Sequence, residues 1–261
     1  HGLYSPEYEA VNHEYRPFLE YYQRIFGYDD LLLVSQDGDV VFSVQKKRYT
    51  KLSYKRAHGQ DVELADVFAR TVASTSVKPE VSNFEYDQET RELVAYLAIP
   101  VLSGGNYAGT LVVKMDNSGI SELVRDYTGM GDTGETIVAA RIGNEAVALT
   151  PLRLRDNRAL NMKIPLGSGS VGGLQKAVLG ESGSGIPKDY RGKTTLNLWR
   201  YLAAFHLGIL VKMDTDEVFA SSEKLKTNLL MISSVLLGIV LIVAILVAHT
   251  ISSPIKDLTK V

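Results

Sequence analysis

From Leu229 to Ala248 the chain carries no charged residue, and only Ser233, Ser234 and Gly238 interrupt an otherwise apolar run. Lys226 precedes the run and Lys256 follows it. About 20 such residues are what an α-helix needs to cross the hydrocarbon core of a bilayer. A helix of that length packed in a soluble core keeps a polar face, and this run has none. The sequence therefore predicts a folded region up to Lys226, a transmembrane helix within 221–250, and a short segment over 251–261. Charge does not orient the span. Lys224 and Lys226 on one side are nearly balanced by Lys256 and Lys260 on the other, so the excess of cytoplasmic positive charge that usually sets topology is missing.

Several function classes are disfavoured by composition. The net charge is −2 and no face rich in Lys and Arg stands out, which argues against a nucleic-acid partner. The densest basic stretch, Lys46-Lys47-Arg48 with Lys51, Lys55 and Arg56, reads as a solvated loop. The absence of cysteine removes disulfides, zinc–thiolate sites and cysteine nucleophiles together. The five histidines lack the paired helical spacing of a metal site, and no G-x-S-x-G nucleophile elbow occurs. Gly167 to Gly172 matches G-x-G-x-x-G, but a dinucleotide site needs that motif inside a parallel βαβ unit, and its surroundings read as antiparallel. The expectation is a loop, no cofactor and no catalytic residue. The chain opens on His1, with no basic segment leading into a short apolar one, so it reads as a segment of a longer protein without a signal peptide.

The region before the span repeats itself. Val113-Lys114-Met115-Asp116 returns as Val211-Lys212-Met213-Asp214, 98 positions later in the sequence. Each copy closes a strand-like run, and each is followed by residues that favour a helix N-cap: Asp116-Asn117-Ser118 and Asp214-Thr215. Upstream of each lies an aromatic-aliphatic strand, Leu93 to Val101 and Leu196 to Phe205. Further upstream lies a hairpin, Leu31 to Ser43 turning at Asp37-Gly38-Asp39 and Thr136 to Leu149 turning at Gly143-Asn144. Helices are expected at Glu7 to Phe26, at Val62 to Ala73 with Leu64, Val67, Phe68 and Val72 inward, and at Leu174 to Leu179. Pro17 should kink or interrupt the first of them. The fold class is α/β (α+β): a long N-terminal helix and two tandem modules with antiparallel sheets.

This layout resembles the double Cache (tandem PAS-like) extracytoplasmic sensor region of bacterial transmembrane receptors. The residues that carry the resemblance are Tyr28-Asp-Asp-Leu-Leu-Leu-Val and Gly38-Asp-Val-Val-Phe-Ser-Val in the first module. In the second they are Gly131-Asp-Thr-Gly-Glu-Thr, Gly180-Glu-Ser-Gly-Ser-Gly, Asp189-Tyr-Arg-Gly-Lys and Trp199-Arg-Tyr-Leu. After the span, Ile251-Ser-Ser-Pro-Ile-Lys-Asp-Leu looks like the start of a HAMP linker. The resemblance implies an N-terminal helix over 1–28, a membrane-distal module over 29–127 and a membrane-proximal module over 128–220. It places 1–226 outside the inner membrane and implies a homodimer. The expected partners are a small-molecule ligand and the lipid bilayer.

By the same resemblance the first module holds the ligand, and an Asp at the end of its last strand takes a ligand ammonium. Asp116 occupies that position; it also reads as a helix cap, as does its equivalent Asp214. Tyr49, Tyr86, Tyr96 and Lys114 are further ligand-binding candidates. The family's Arg-x-Trp element has no counterpart in the first module, since the single tryptophan is Trp199. The implied function is ligand sensing passed through the span to a cytoplasmic histidine kinase, chemoreceptor or cyclase domain. The alternative is a membrane-anchored binding or interaction protein without signalling output. An exported hydrolase ranks third.

Overall fold

The computed structural model describes residues 6–45, 62–74, 77–87, 90–155, 162–167 and 172–258. Two units partition the chain, one over His1–Met213 and one over Asp214–Val261.

The first unit opens with α1 (Pro6–Phe26), which runs through Pro17 without interruption. Neighbouring contacts hold the turn that proline weakens. Arg16 donates to the Asn12 side chain at 3.1 Å and to the carbonyls of Val44 and Ser43, and its guanidinium stacks on Phe42. No residue of α1 is buried. Its apolar stripe, including Val11, Tyr15, Phe18, Ile25 and Phe26, is exposed.

Two six-stranded sheets follow. The first contains β1 (Asp30–Ser35), β2 (Val40–Ser43), β3 (Glu80–Val81), β4 (Glu85–Tyr86), β5 (Leu93–Ser103) and β6 (Asn106–Asp116). Its order is β2-β1-β6-β5-β3, with β4 also on β5. Helix α2 (Val62–Ala73) covers one face, and α3 (Ser118–Leu123) follows β6. The second sheet contains β7 (Glu135–Ile142), β8 (Glu145–Ala148), β9 (Lys163–Pro165), β10 (Gly183–Gly185), β11 (Thr195–Leu202) and β12 (Leu207–Asp214), with α4 (Gly173–Val178) against it. Its order, β9-β8-β7-β12-β11-β10, reproduces the β2-β1-β6-β5-β3 path of the first sheet, with β9 added at the edge and no counterpart of β4. The hairpins turn where the sequence places them, with left-handed glycines at Gly38 and Gly143.

Three apolar clusters result. Leu32, Leu64, Val67, Val94, Tyr96 and Val112 pack between the first sheet and α2. Within α2 the buried face includes Thr71, while Val72, expected inward, is exposed. The Thr71 hydroxyl bonds the Val67 carbonyl at 2.8 Å, so it enters the core without an unmet polar group. Ile137, Ala139, Leu174, Val178 and Leu210 fill the second core. The third cluster joins the sheets: Phe84, Leu93 and Ala95 meet Val138, Ala140, Val147, Leu149 and Leu207. The start of β5 and most of β7 are thus covered on both faces, which is why they read as unbroken apolar runs.

Trp199 explains three glycines of the second half, one at the start of α4 and two in β10. Added Cβ atoms at Gly173 and Gly183 would lie 2.7 and 2.9 Å from its ring, and one at Gly185 would sit 3.4 Å away. Gly208 on β12 is similarly placed, with 2.8 Å left to the Ala177 side chain and to the Val178 nitrogen of α4. Gly119, in α3, has open space around it.

The second unit is α5 (Thr215–Leu258), which begins at the residue after β12. Its stretch Thr215–Val247 is long and apolar enough to cross a membrane.

Gly208→Ala should lower the unfolding free energy by about 1–3 kcal/mol, because helix and strand backbones must separate to admit a methyl group. Gly119→Ala should be neutral or stabilising by up to about 1 kcal/mol, through helix propensity alone. Chemical denaturation of the two variants checks both; equal effects would mean that close packing of α4 on β12 is not what fixes glycine at 208.

Candidate functional site

Lysine is almost never buried without charged partners, yet Lys114 and Lys212, the repeated lysines of β6 and β12, are 1% and 2% exposed. Each is held by two carboxylates. Lys114 Nζ lies 2.9 Å from Asp29 and also bonds Asp87. Lys212 Nζ lies 3.0 Å from Glu135 and 2.6 Å from Asp189. The carboxylates occupy corresponding places. Asp29 and Glu135 stand at the entry to the first strand of each sheet, and Asp87 and Asp189 lie just upstream of β5 and β11.

Strand register assembles the first cluster. Asp30 and Tyr96 both lie directly opposite Lys114 on the neighbouring strands, so all three share the face under α2. Asp30 is fully buried and accepts from the Ser43 hydroxyl (2.7 Å) and the Leu31 and Gln45 amides. The Tyr96 amide donates to the Ser82 hydroxyl at 2.8 Å. The Thr90 amide donates to Asp87 Oδ1, leaving Oδ2 for the lysine. Burial opposes the charge on Lys114, but the hydrogen bonds to Asp87 and Asp29 and their attraction outweigh it. Its pKa is therefore held above the ordinary lysine value of 10.5.

The second cluster is closed. Asp189 takes Lys212 and Arg191 Nε on one oxygen and the Arg191 and Lys193 amides on the other. Burial pushes its carboxyl up, but the bonds from Lys212 and Arg191 prevail and hold the pKa below the ordinary 3.8. Tyr190 seals the top, its ring 4.0 Å from the Lys212 ammonium and its hydroxyl donating to Glu135 at 2.9 Å. Burial and the Glu135 charge raise the Tyr190 pKa well above 10.0, so it stays a neutral donor. Arg153 closes the far side, bonding Glu135 through its amide and the Gly134 and Gly131 carbonyls through its guanidinium. The side chains of Glu135 and Asp189 are 0% and 2% exposed, whereas those of Asp29 and Asp87 are 30% and 11% exposed. The first cluster alone is reachable from solvent.

Of the residues singled out from sequence, Lys114 and Tyr96 come together here. Asp116 ends β6 and accepts from the Ser118 amide at 2.9 Å, the local bond of a helix start. Tyr86 packs against the cluster between the sheets, with Lys163 over its ring at 4.8 Å. Tyr49 lies outside the described residues. Sequence reasoning missed Asp29, Asp87, Glu135 and Asp189. The available signal was the doubled lysine itself: a cation recurring on buried strands requires recurring anions.

No protein-family model matches the sequence, and no curated protein matches it. Solved structures do resemble the fold. The extracellular domain assigned to a histidine kinase, rpHK1S-Z16, superposes with TM-score 0.53 at 13% identity, over 78% of each chain. The sensory domain of the Campylobacter jejuni chemoreceptor Tlp3, solved with isoleucine bound, gives 0.51 at 14% identity, over 80% of this chain and 75% of that one. The same domain with 4-methylisoleucine gives 0.50 at 14% identity, over 80% and 74%. The chain shares its fold with these domains.

Lys212→Met should cost about 3–5 kcal/mol, since it strands two fully enclosed carboxylates. Lys114→Met should cost less, because water reaches Asp29. Urea unfolding ranks the two; a reversed order would remove the distinction between a closed and an open cluster. The ion pairs also set a pH window. A depressed carboxyl pKa stabilises above the unfolded value and is lost as pH falls through the folded one, so the Asp189 contribution should fade below about pH 4. A raised lysine pKa stabilises below the unfolded value, so the Lys114 contribution should persist to about pH 10.5 and vanish above it. Melting temperatures of wild type and Asp189→Asn across pH 2–7 should converge at the acid end.

Proposed function

We propose that this chain is the ligand-sensing part of a bacterial transmembrane signalling receptor. The observation that carries the reading is the asymmetry between two otherwise equivalent clusters. The fold provides the same buried lysine twice, and only the copy in the first sheet has carboxylates open to solvent. The first module, over 29–127, is the ligand module, and the second, over 128–220, is the structural relay. Asp29, Asp87, Lys114 and Tyr96 form the binding surface, with Tyr49, Tyr86 and Asp116 as outer candidates. A small molecule bearing an ammonium and an acceptor group fits a site that offers carboxylate and ammonium side by side. Support for the class comes from the fold neighbours, which are the sensory domain of a chemoreceptor and the extracellular domain assigned to a histidine kinase.

In this reading residues 1–226 lie outside the inner membrane and α5 carries the change through it. Strand β12 passes into α5 without a loop. No proline interrupts the helix between Glu217 and Ala248. A ligand moves such a system only as far as its affinities for the two states differ. The exposed aromatic stripe of α1 is the surface a second copy would cover in a homodimer. The change is passed through α5 to a cytoplasmic histidine kinase, chemoreceptor or cyclase domain.

Four glycines inserted after Ser222 of the full-length receptor should leave ligand affinity at the wild-type value and abolish output. Affinity and output are measured separately, by calorimetry and by the downstream response. Wild-type output from the insertion variant would make α5 a tether and favour the anchored binding protein.

A further inference from the structure

A cleft of about 660 Å³ opens where the two sheets meet, and no residue of either lysine cluster lines it. Its walls differ in charge. Glu63 at the start of α2, Glu85 of β4 and Asn83 line it from the first half. Arg141 at the end of β7, Tyr201 of β11 and His206 from the β11–β12 turn line it from the second.

Three features set this cleft apart from a gap between packed halves. The Arg141 guanidinium uses only Nε, on the Gly143 carbonyl at 3.3 Å, and forms no ion pair among the described residues. Its two terminal nitrogens, the fork that grips carboxylates in pairs, are left over. His206 holds a left-handed backbone, φ 54°. The corresponding turn of the first sheet uses Gly105, at φ 85°, where the conformation is free of strain. Such strain in a non-glycine residue clusters at ligand sites. The His206 Nδ1 is also buried without a hydrogen-bond partner, which is costly unless something else meets it. On the opposite wall Glu63 is already oriented, since both its oxygens accept from Asn83. A carboxylate has acceptor capacity beyond those bonds.

We propose that the cleft is a second small-molecule site, taking a zwitterion of dipeptide size. Its carboxylate meets Arg141 and His206, and its ammonium meets Glu63 and Glu85. The volume lies within the usual range of about 300–1,000 Å³ for ligand sites. Because the two charged ends are held by different halves of the fold, the ligand favours one relative placement of them. It therefore tunes the response to whatever binds at Lys114.

The test uses the whole chain in detergent micelles and calorimetric titration with three dipeptides: Ala-Leu, Gly-Gly and Ala-Gln. At least one should bind saturably, and its N-acetylated and C-amidated forms should bind at least tenfold more weakly. Arg141→Gln and Glu85→Gln, on opposite walls, should each weaken it at least tenfold. Melting temperatures show that the variants are folded, and Asp29→Asn should leave dipeptide affinity unchanged. The proposal is overturned if none of the three binds. It is also overturned if binding survives both cleft variants but is lost in Asp29→Asn, which would place the dipeptide in the first-sheet site.

Discussion

A buried ammonium needs anions, and that requirement organises both halves of this fold. Each lysine projects from the last strand of its sheet, and each is neutralised by one carboxylate from the entry to the first strand and one from the segment leading into the preceding strand. Three separate pieces of chain are tied at one point. Removing either lysine would strand two carboxylates at once, so a single side chain holds all three pieces in register. The two copies then diverge. Tyr190 and Arg191 complete the second cluster from within the chain, whereas Asp29 of the first still faces water.

The shared apolar cluster makes one unit of the two sheets. Leu93 and Ala95 of β5 face Val138 and Ala140 of β7, while the alternate residues of the same strands fill each sheet's own core. A rotation of one sheet would expose apolar surface on the other, at about 25 cal/mol per Å². The polar cleft between α2, β4, β7 and the β11–β12 turn borders this cluster, sharing Phe84 and Ile142 with it.

Much of this was legible in the residues. The doubled Val-Lys-Met-Asp run marks the repeat because β6 and β12 hold equivalent places in sheets of the same order. The hairpin glycines at 38 and 143 mark turns because left-handed backbone suits glycine. The apolar run of α5 has the length and composition of a span whatever lies around it. Pro17 was a misleading signal: its helix continues because Arg16 ties the same turn to Asn12 and to the β2 edge, contacts that no local rule contains.

What the sequence determined by itself is therefore everything governed by period and local backbone chemistry: the helices, the hairpins, the repeat and the apolar span. What only the tertiary structure decided is everything that depends on approach through space. Asp29 and Asp87 meet Lys114 across long stretches of chain, and Asp116, the candidate by position, also bonds the start of α3. The glycines at 173 and 183 leave room for the Trp199 ring, which lies against both. Charge pairing and steric room are properties of neighbours, and a chain names its neighbours only once it has folded.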